Sequence, residues 1–553
     1  MQNPSLDEAA RLCYFPLIMS KMSKPSKPNF LFIMSDQLRP DHTGFGGNQL
    51  VKTPNLDKLA AQSKNFTKAY CNSPSCGPSR CSLTSGRMPS TIGSWTNALS
   101  LDPESNTFVR VLRKSGYKTG LVGKSHLQDC IDRRPSEDGS NMLDLSKMGL
   151  VRRPPEGEGH AVERSWQQDP NWDKWERHWL HKEGKVEMPK DYYGYDHVEL
   201  TLNHDDRPGG HHYWWVKEQG GNPDKIGGLA NAIDPFEPWV QVWKSSCPLE
   251  FYTTNFITER SAAFMEEAVA SDEPFFLTAS FPDPHHPFGV PEPYYSMYDR
   301  DQITLPETFH NDHANGMPHL KRMADERGAN KRGPFSFSVS EEQYREATAV
   351  EYGSITHLDE GIGRLLAKLD ELGVADNTVI IFCADHGDLG GDHGLMLKFA
   401  AHYQGAINVP LLISAPGVQP EQTGSMACLL DIGRTVLDLA GEQPYIGMQG
   451  HSLRPVLADS AVEVRDTVLI EEAYQADFIG LGTDHFMQTL VTAQARLTVY
   501  FGSDMGELYD LENDSLETEN LFDKPEAAGL KSRLMAQLIQ EMIAHRDLSR
   551  YPV

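Results

Sequence analysis

At 553 residues and 39% hydrophobic composition, the chain holds enough apolar side chains for a large core and is expected to divide into more than one unit. Its net charge of −26 excludes a broad attraction to nucleic acid or anionic lipid, so an anionic ligand would need a local basic pocket. Eight cysteines at positions 13, 71, 76, 81, 130, 247, 383 and 428 lack the spacing of a disulfide framework or zinc ribbon, which fits a reducing compartment.

Residues 1–28 read as an N-terminal arm. Its apolar run, Leu12 to Met19, is short, interrupted by Pro16 and preceded by Asp7 and Glu8, so it matches no export signal. No run reaches the roughly 18–20 apolar residues of a membrane helix. The expected location is cytoplasmic, with the arm held by a partner subunit of a homo-oligomer or by the chain's own surface. Residues 29–34 form a continuous apolar run, as in a strand buried on both faces of a parallel sheet, with Asp36 just beyond it. A helix over 107–115 and a strand over 119–123 follow. Lys124 and His126 come next, and extended geometry would turn them to the same side.

Residues 135–250 break the pattern, with Trp166, Trp172, Trp175, Trp179 and the run His211 to Trp215. Such a long irregular insertion is expected to line the pocket or an interface. A helix over 257–270 and a strand over 275–280 restore the alternation. Next come a helix whose apolar positions run from Ile355 to Leu372, a strand over 378–382 with Asp385 and His386 beyond it, and a strand over 410–414. Alternating helices and strands imply α/β layers, and two strands delivering carboxylates from their C-terminal ends build a site. After turn-rich 441–450, short strands at 468–472, 486–492, 495–500 and 507–510 precede a helix over 526–545. The predicted division is an arm at 1–28, an α/β catalytic domain at 29–460 and a C-terminal α+β subdomain at 461–553.

The most specific stretch is Cys76-Gly77-Pro78-Ser79-Arg80, closed by Gly86-Arg87. Taken alone, Cys76 could be a buried thiol in a Pro/Ser turn. The ordered run instead resembles the maturation signature of the type I sulfatases, and Gly506 to Asp514 resembles their C-terminal subdomain. The resemblance spans most of residues 29–525 and implies an alkaline-phosphatase-like, mostly parallel α/β sheet flanked by helices, with a smaller antiparallel sheet plus helix. It further implies that a formylglycine-generating enzyme converts Cys76 to formylglycine, whose gem-diol attacks sulfur and then expels sulfate. Asp36, Gln37, matured Cys76, Asp385 and His386 would hold one divalent metal. Ca²⁺ leads, with Mn²⁺, Mg²⁺ and Zn²⁺ as alternatives, because Gln37 and His386 replace the Asp and Asn of many members.

By the same resemblance, Arg80 orients the gem-diol, Lys124 bridges nucleophile and sulfate, and His126 takes the gem-diol proton. The turn Pro284-His285-His286-Pro287 assigns the sulfate-facing role to His285, with His286 as the alternative. Lys398 binds sulfate oxygens, and Asn97 is a candidate oxygen contact. The implied activity is sulfate-monoester hydrolysis on a small-molecule ester. The rival reading is a phosphonate monoester or phosphodiester hydrolase of the same superfamily, which shares an Asp-Gln and Asp-His metal set but has Tyr and Thr where this chain keeps Lys124 and His126. A non-enzymatic binding module would have lost Cys76, Lys124 or Asp385, and none is lost.

Overall fold

The computed structural model describes residues 27–97, 99–129, 172, 174–204, 206–331, 333, 335–474 and 485–548. The predicted arm, apart from its last two residues, and Trp166 lie outside the described residues, as do Cys13 and Cys130. Eight strands form the main sheet: β1 (Asn29–Ser35), β2 (Lys64–Phe66), β3 (Lys118–Gly123), β4 (His197–Leu200), β5 (Phe275–Ser280), β6 (Thr378–Ala384), β7 (Leu411–Ser414) and β8 (Glu421–Thr423). Their order is β8-β2-β7-β6-β1-β5-β3-β4. All seven residues of β1 are buried, because parallel neighbours flank it on both edges and helices cover both faces. Strand β7 runs antiparallel to β6 and β2, so the sheet is mixed at that side.

The pleat assigns the layers. Phe264 of α3 (Thr253–Ala270) packs beside Phe275, whereas Phe108 of α2 (Phe108–Lys114) meets the adjacent Phe276 edge-on. Neighbouring residues of one strand point to opposite faces, so α3 and α2 cover opposite sides of the sheet. The long helix α4 (Glu341–Glu371) packs against α3. It begins well before the predicted apolar stretch, behind a capping box in which the Ser340 and Gln343 side chains bond each other's backbone. Its first half carries small residues that dilute the apolar rhythm, and one is required: a Cβ on Gly353 would come within 2.1 Å of the Tyr294 carbonyl.

The expectation of an irregular 135–250 fails for part of that stretch. Strand β4 completes the main sheet in parallel with β3, with Val198 and Leu200 buried and the alternate residues His197 and Glu199 less so. Four residues of alternation are too few to stand out as a strand in the sequence. The C-terminal strands lie where the sequence places them, as β9 (Thr467–Tyr474), β10 (His485–Thr492), β11 (Ala495–Tyr500) and β12 (Gly506–Asp510) in an antiparallel meander. Helix α5 (Ala528–Ala544) packs against it. One apolar core nevertheless runs from Phe30 in the main sheet to Leu538 in α5. No helix among the described residues is long and apolar enough to cross a membrane.

Candidate active site

The C-terminal ends of four adjacent strands open onto one buried point, the Sγ of Cys76. Asp36 and Gln37 follow β1, Lys124 follows β3, His285 lies beyond β5, and Asp385 and His386 follow β6. Cys76 is the first residue of α1 (Cys76–Ser85), a helix buried throughout its length. Its Sγ lies 3.1 Å from His386 Nε2, 3.1 Å from Lys398 Nζ, 3.7 Å from Asp36 Oδ1 and 3.8 Å from His285 Nε2. Burial opposes ionisation of this thiol, but Lys124, Lys398 and His386 together hold it well below its ordinary range.

Arg80, one turn along α1, fixes the carboxylates. Its Nε donates to Asp385 Oδ2 at 2.6 Å, Nη1 to Ser280 Oγ at 2.8 Å and to the Lys124 carbonyl at 3.0 Å, and Nη2 to Asp36 Oδ2 at 3.4 Å. Asp36 also pairs with Lys124 Nζ. Burial pushes Asp36 upward and Cys76 adds to that, yet Lys124, His285 and His386 win and hold it well below the carboxylate range. Asn97 accepts from the Gly77 amide at 2.9 Å through Oδ1, so that oxygen is committed to the start of α1.

The donor set fits a divalent cation. Ligand atoms of Asp36, Cys76, His285 and His386 lie within 4.8 Å of one another. Gln37 turns its amide oxygen inward, where it meets Lys398 Nζ at 2.9 Å and His286 Nδ1 at 3.1 Å, while its NH₂ donates to Asp388 Oδ2 at 2.7 Å. His386 donates Nδ1–H to the Gly387 carbonyl at 2.8 Å, which leaves Nε2 aimed at the cluster. Asp385 Oδ1 accepts from the Gln37 and His386 amides and lies 3.6 Å from His386 Nε2. Carboxylate and amide oxygens with one imidazole suit a hard or borderline cation.

The two candidates in the Pro-His-His-Pro turn separate. His285 faces Cys76 and Lys398, whose Nζ is 2.6 Å from its Nε2, whereas His286 sits on Gln37. Lys124 and His126 reach the same pocket, but not by extended geometry. Strand β3 ends at Gly123, and His126 takes φ = 57°, a left-handed backbone that brings its ring within 4.8 Å of Cys76 Sγ. Glu176 holds that turn. Its carboxylate accepts from the amides of His126 (2.8 Å), Leu127 (2.9 Å) and Gln128 (2.8 Å) and from Tyr192 Oη (2.5 Å). Both ring nitrogens of buried His126 lack a hydrogen-bond partner, and burial lowers its pKa.

Sequence reasoning missed Glu176, His204 and Asp388. His204 places Nε2 at hydrogen-bond distance from Lys124 Nζ and sets its ring, tilted by 34°, 4.2 Å from that of His285. Asp388, three residues past Asp385, accepts from Gln37 and from the Gly390 and Leu397 amides, shaping the loop that carries Lys398. That proximity was the only available signal, because Glu176 and His204 lie in the stretch without motifs.

A mostly parallel sheet with a buried helix that opens on Cys76, paired carboxylates and converging cations at its strand ends defines a hydrolase of the alkaline phosphatase superfamily. The family profile described as Sulfatase matches residues 28–134 and 174–442, and a profile described as N-sulphoglucosamine sulphohydrolase, C-terminal, matches residues 391–544. An arylsulfatase of Clostridium perfringens is 29% identical over 547 residues, covering 95% of this chain and 98% of its own. A choline-sulfatase of Rhizobium meliloti is 27% identical, covering 95% and 88%. Among solved structures, a phosphonate monoester hydrolase of Agrobacterium radiobacter shares the fold with a TM-score of 0.73 at 22% identity, over 94% of this chain and 97% of that one. The chain belongs to the sulfatase family.

Proposed function

We propose that this sulfatase cleaves sulfate monoesters with a formylglycine matured from Cys76 and one divalent cation held by Asp36, Gln37, Asp385 and His386. The observation that carries this reading is the position of Cys76 Sγ, 3.1 Å from His386 Nε2 and from Lys398 Nζ, at the start of a buried helix. The matured side chain would supply the attacking hydroxyl, and the cation would lower that hydroxyl's pKa and polarise a sulfate oxygen. Arg80 keeps Asp36 and Asp385 in place. Lys124 and Lys398 put positive charge where the sulfate oxygens sit, stabilising charge that builds up in the transition state. Lys398 Nζ and His285 Nε2 hold a proton between them beside Cys76, placed to reach the departing oxygen. His126, neutral and unpaired, accepts a proton on the other side.

Ca²⁺ is the proposed cation, and the formylglycine-generating enzyme is the proposed maturation partner. The proposed location is the cytoplasm, as expected from the cysteine spacing. Activity on phosphonate monoesters is a second reading, favoured by the Asp-Gln and Asp-His donor set, whereas Lys124 and His126 favour sulfate.

Mass analysis of the Cys76 tryptic peptide should find formylglycine. The Cys76→Ala protein should fold normally yet lose at least roughly 10⁴-fold in kcat/KM on an aryl sulfate. An unmodified thiol in active enzyme, or a Cys76→Ala protein with normal turnover, would refute the mechanism.

A further inference from the structure

We propose that His204 is a further substrate-contacting residue of this sulfatase, donating a hydrogen bond from Nδ1 to the oxygen that links sulfate to its organic group while its Nε2 steadies Lys124. The inference rests on the sulfatase reading and on four observations.

First, the partner of Nε2 is an ammonium, which has only donors. Nε2 therefore accepts, and a neutral His204 ring must carry its proton on Nδ1. Second, that ammonium is itself anchored by the Asp36 carboxylate, so Lys124 stays where the His204 ring accepts from it. Third, a nitrogen of His204 lies within 4.8 Å of both Cys76 Sγ and a nitrogen of His126, and its ring lies over His285 at 4.2 Å and 34°. It thus shares the reacting centre with both imidazoles of the proposed mechanism. Fourth, Asp36, Cys76, Arg80, Lys124, His126, His285, His386 and Lys398 are all buried, whereas His204 is half-buried.

The fourth observation sets the direction. A sulfate held among the buried cations must keep its organic group toward the open side, and the ester oxygen lies at that boundary. His204 is the ionisable side chain of the cluster that stands there. A donor at this position stabilises negative charge growing on the departing oxygen, and it matters most when the leaving group is a poor one. Only a hydrogen bond is involved, with no net proton transfer from His204.

The test measures kcat/KM for wild type, His204→Ala, His204→Gln and His204→Phe on sulfate monoesters that range from 4-nitrophenyl sulfate to an alkyl sulfate. The Ala and Phe variants should lose about tenfold on the activated aryl ester and about a hundredfold or more on the alkyl ester. Gln, which keeps a donor and an acceptor, should recover part of the loss. A loss equal across the series, no loss, or Phe performing as well as Gln would overturn the proposal. Thermal midpoints identify a variant that has merely lost its fold, and the Gln-to-Phe comparison then decides. The wild-type rates judge the sulfatase reading separately: if phosphonate monoesters prove to be the substrates, the same variant ratios over a phosphonate leaving-group series still decide the role of His204.

Discussion

Glu176 meets four hydrogen-bond donors with two oxygens, three of them consecutive backbone amides of residues 126–128. Replacing it with Gln turns an NH₂ group toward backbone N–H donors, so at least one buried donor loses its acceptor, at about 1–3 kcal/mol. The Glu176→Gln enzyme should therefore show roughly a tenfold or greater fall in kcat/KM with a lowered thermal midpoint, as the left-handed turn at His126 loosens. Steady-state kinetics beside a melting curve check both. Residues of the cluster were legible in the sequence to the extent that they stand at fixed distances from strong local signals. Asp36 and Asp385 follow apolar runs, and Cys76 and Arg80 share one ordered motif. Glu176 and His204 reach the site through tertiary folding of a segment whose own pattern is weak, and no spacing rule connects either to Cys76.

Strand β4 and helix α3 are joined by Glu199, which accepts from Arg260 Nε at 2.8 Å and Nη2 at 2.8 Å and from His197 Nε2 at 2.9 Å. Burial opposes the charge, yet the hydrogen bonds from His197 and Arg260 hold the Glu199 carboxyl down at about 2. Because the folded pKa lies below the unfolded one, this contribution is complete above the ordinary glutamate range and is lost as pH falls toward about 2. Urea denaturation of wild type and Glu199→Gln should differ by about 1–2 kcal/mol at neutral pH, after allowance for the partly exposed Arg260. The gap should narrow steadily below about pH 4, and a pH-independent gap would contradict the assignment. At this scale the long apolar strands β1, β5 and β6 were readable because burial on both faces leaves an unbroken run. Strand β4 was not, since its two buried residues make sense only once β3 lies beside them. The start of α4 escaped for a related reason: its N-terminal half packs through small residues such as Gly353, which carry no apolar rhythm.

Across the whole molecule, the C-terminal sheet is bound to the catalytic loops by buried charge. Arg496 of β11 is completely buried, pairs with Glu517 and reaches Glu507 Oε2 at 3.4 Å, with Tyr509 under its guanidinium at 4.7 Å. Glu517 in turn accepts from the Gln404 amide at 2.7 Å, and Glu472 of β9 accepts from the Ala400 amide at 2.8 Å, two residues beyond Lys398. Removing one partner leaves the other charge buried and unpaired, so Arg496→Met should lower stability by about 3–5 kcal/mol. Chemical denaturation monitored by tryptophan fluorescence measures that loss. A change below about 1 kcal/mol would mean that Arg496 does not anchor the subdomain.

This dependence also has a meaning in time. The loop just beyond Lys398 is tied down at Ala400 and Gln404 by Glu472 and Glu517, which leave the ribosome roughly 400–440 residues after Cys76, or about 20–90 s at ordinary elongation rates. In the finished protein Cys76 is 1% exposed, closed off by the side chains that it serves. On the formylglycine reading proposed above, conversion of that side chain would belong to the interval of synthesis, while the nascent chain still lacks the sheet that locks the site. Slowing elongation downstream of Cys76 would lengthen that interval and raise the fraction of active enzyme without any change in the mature sequence.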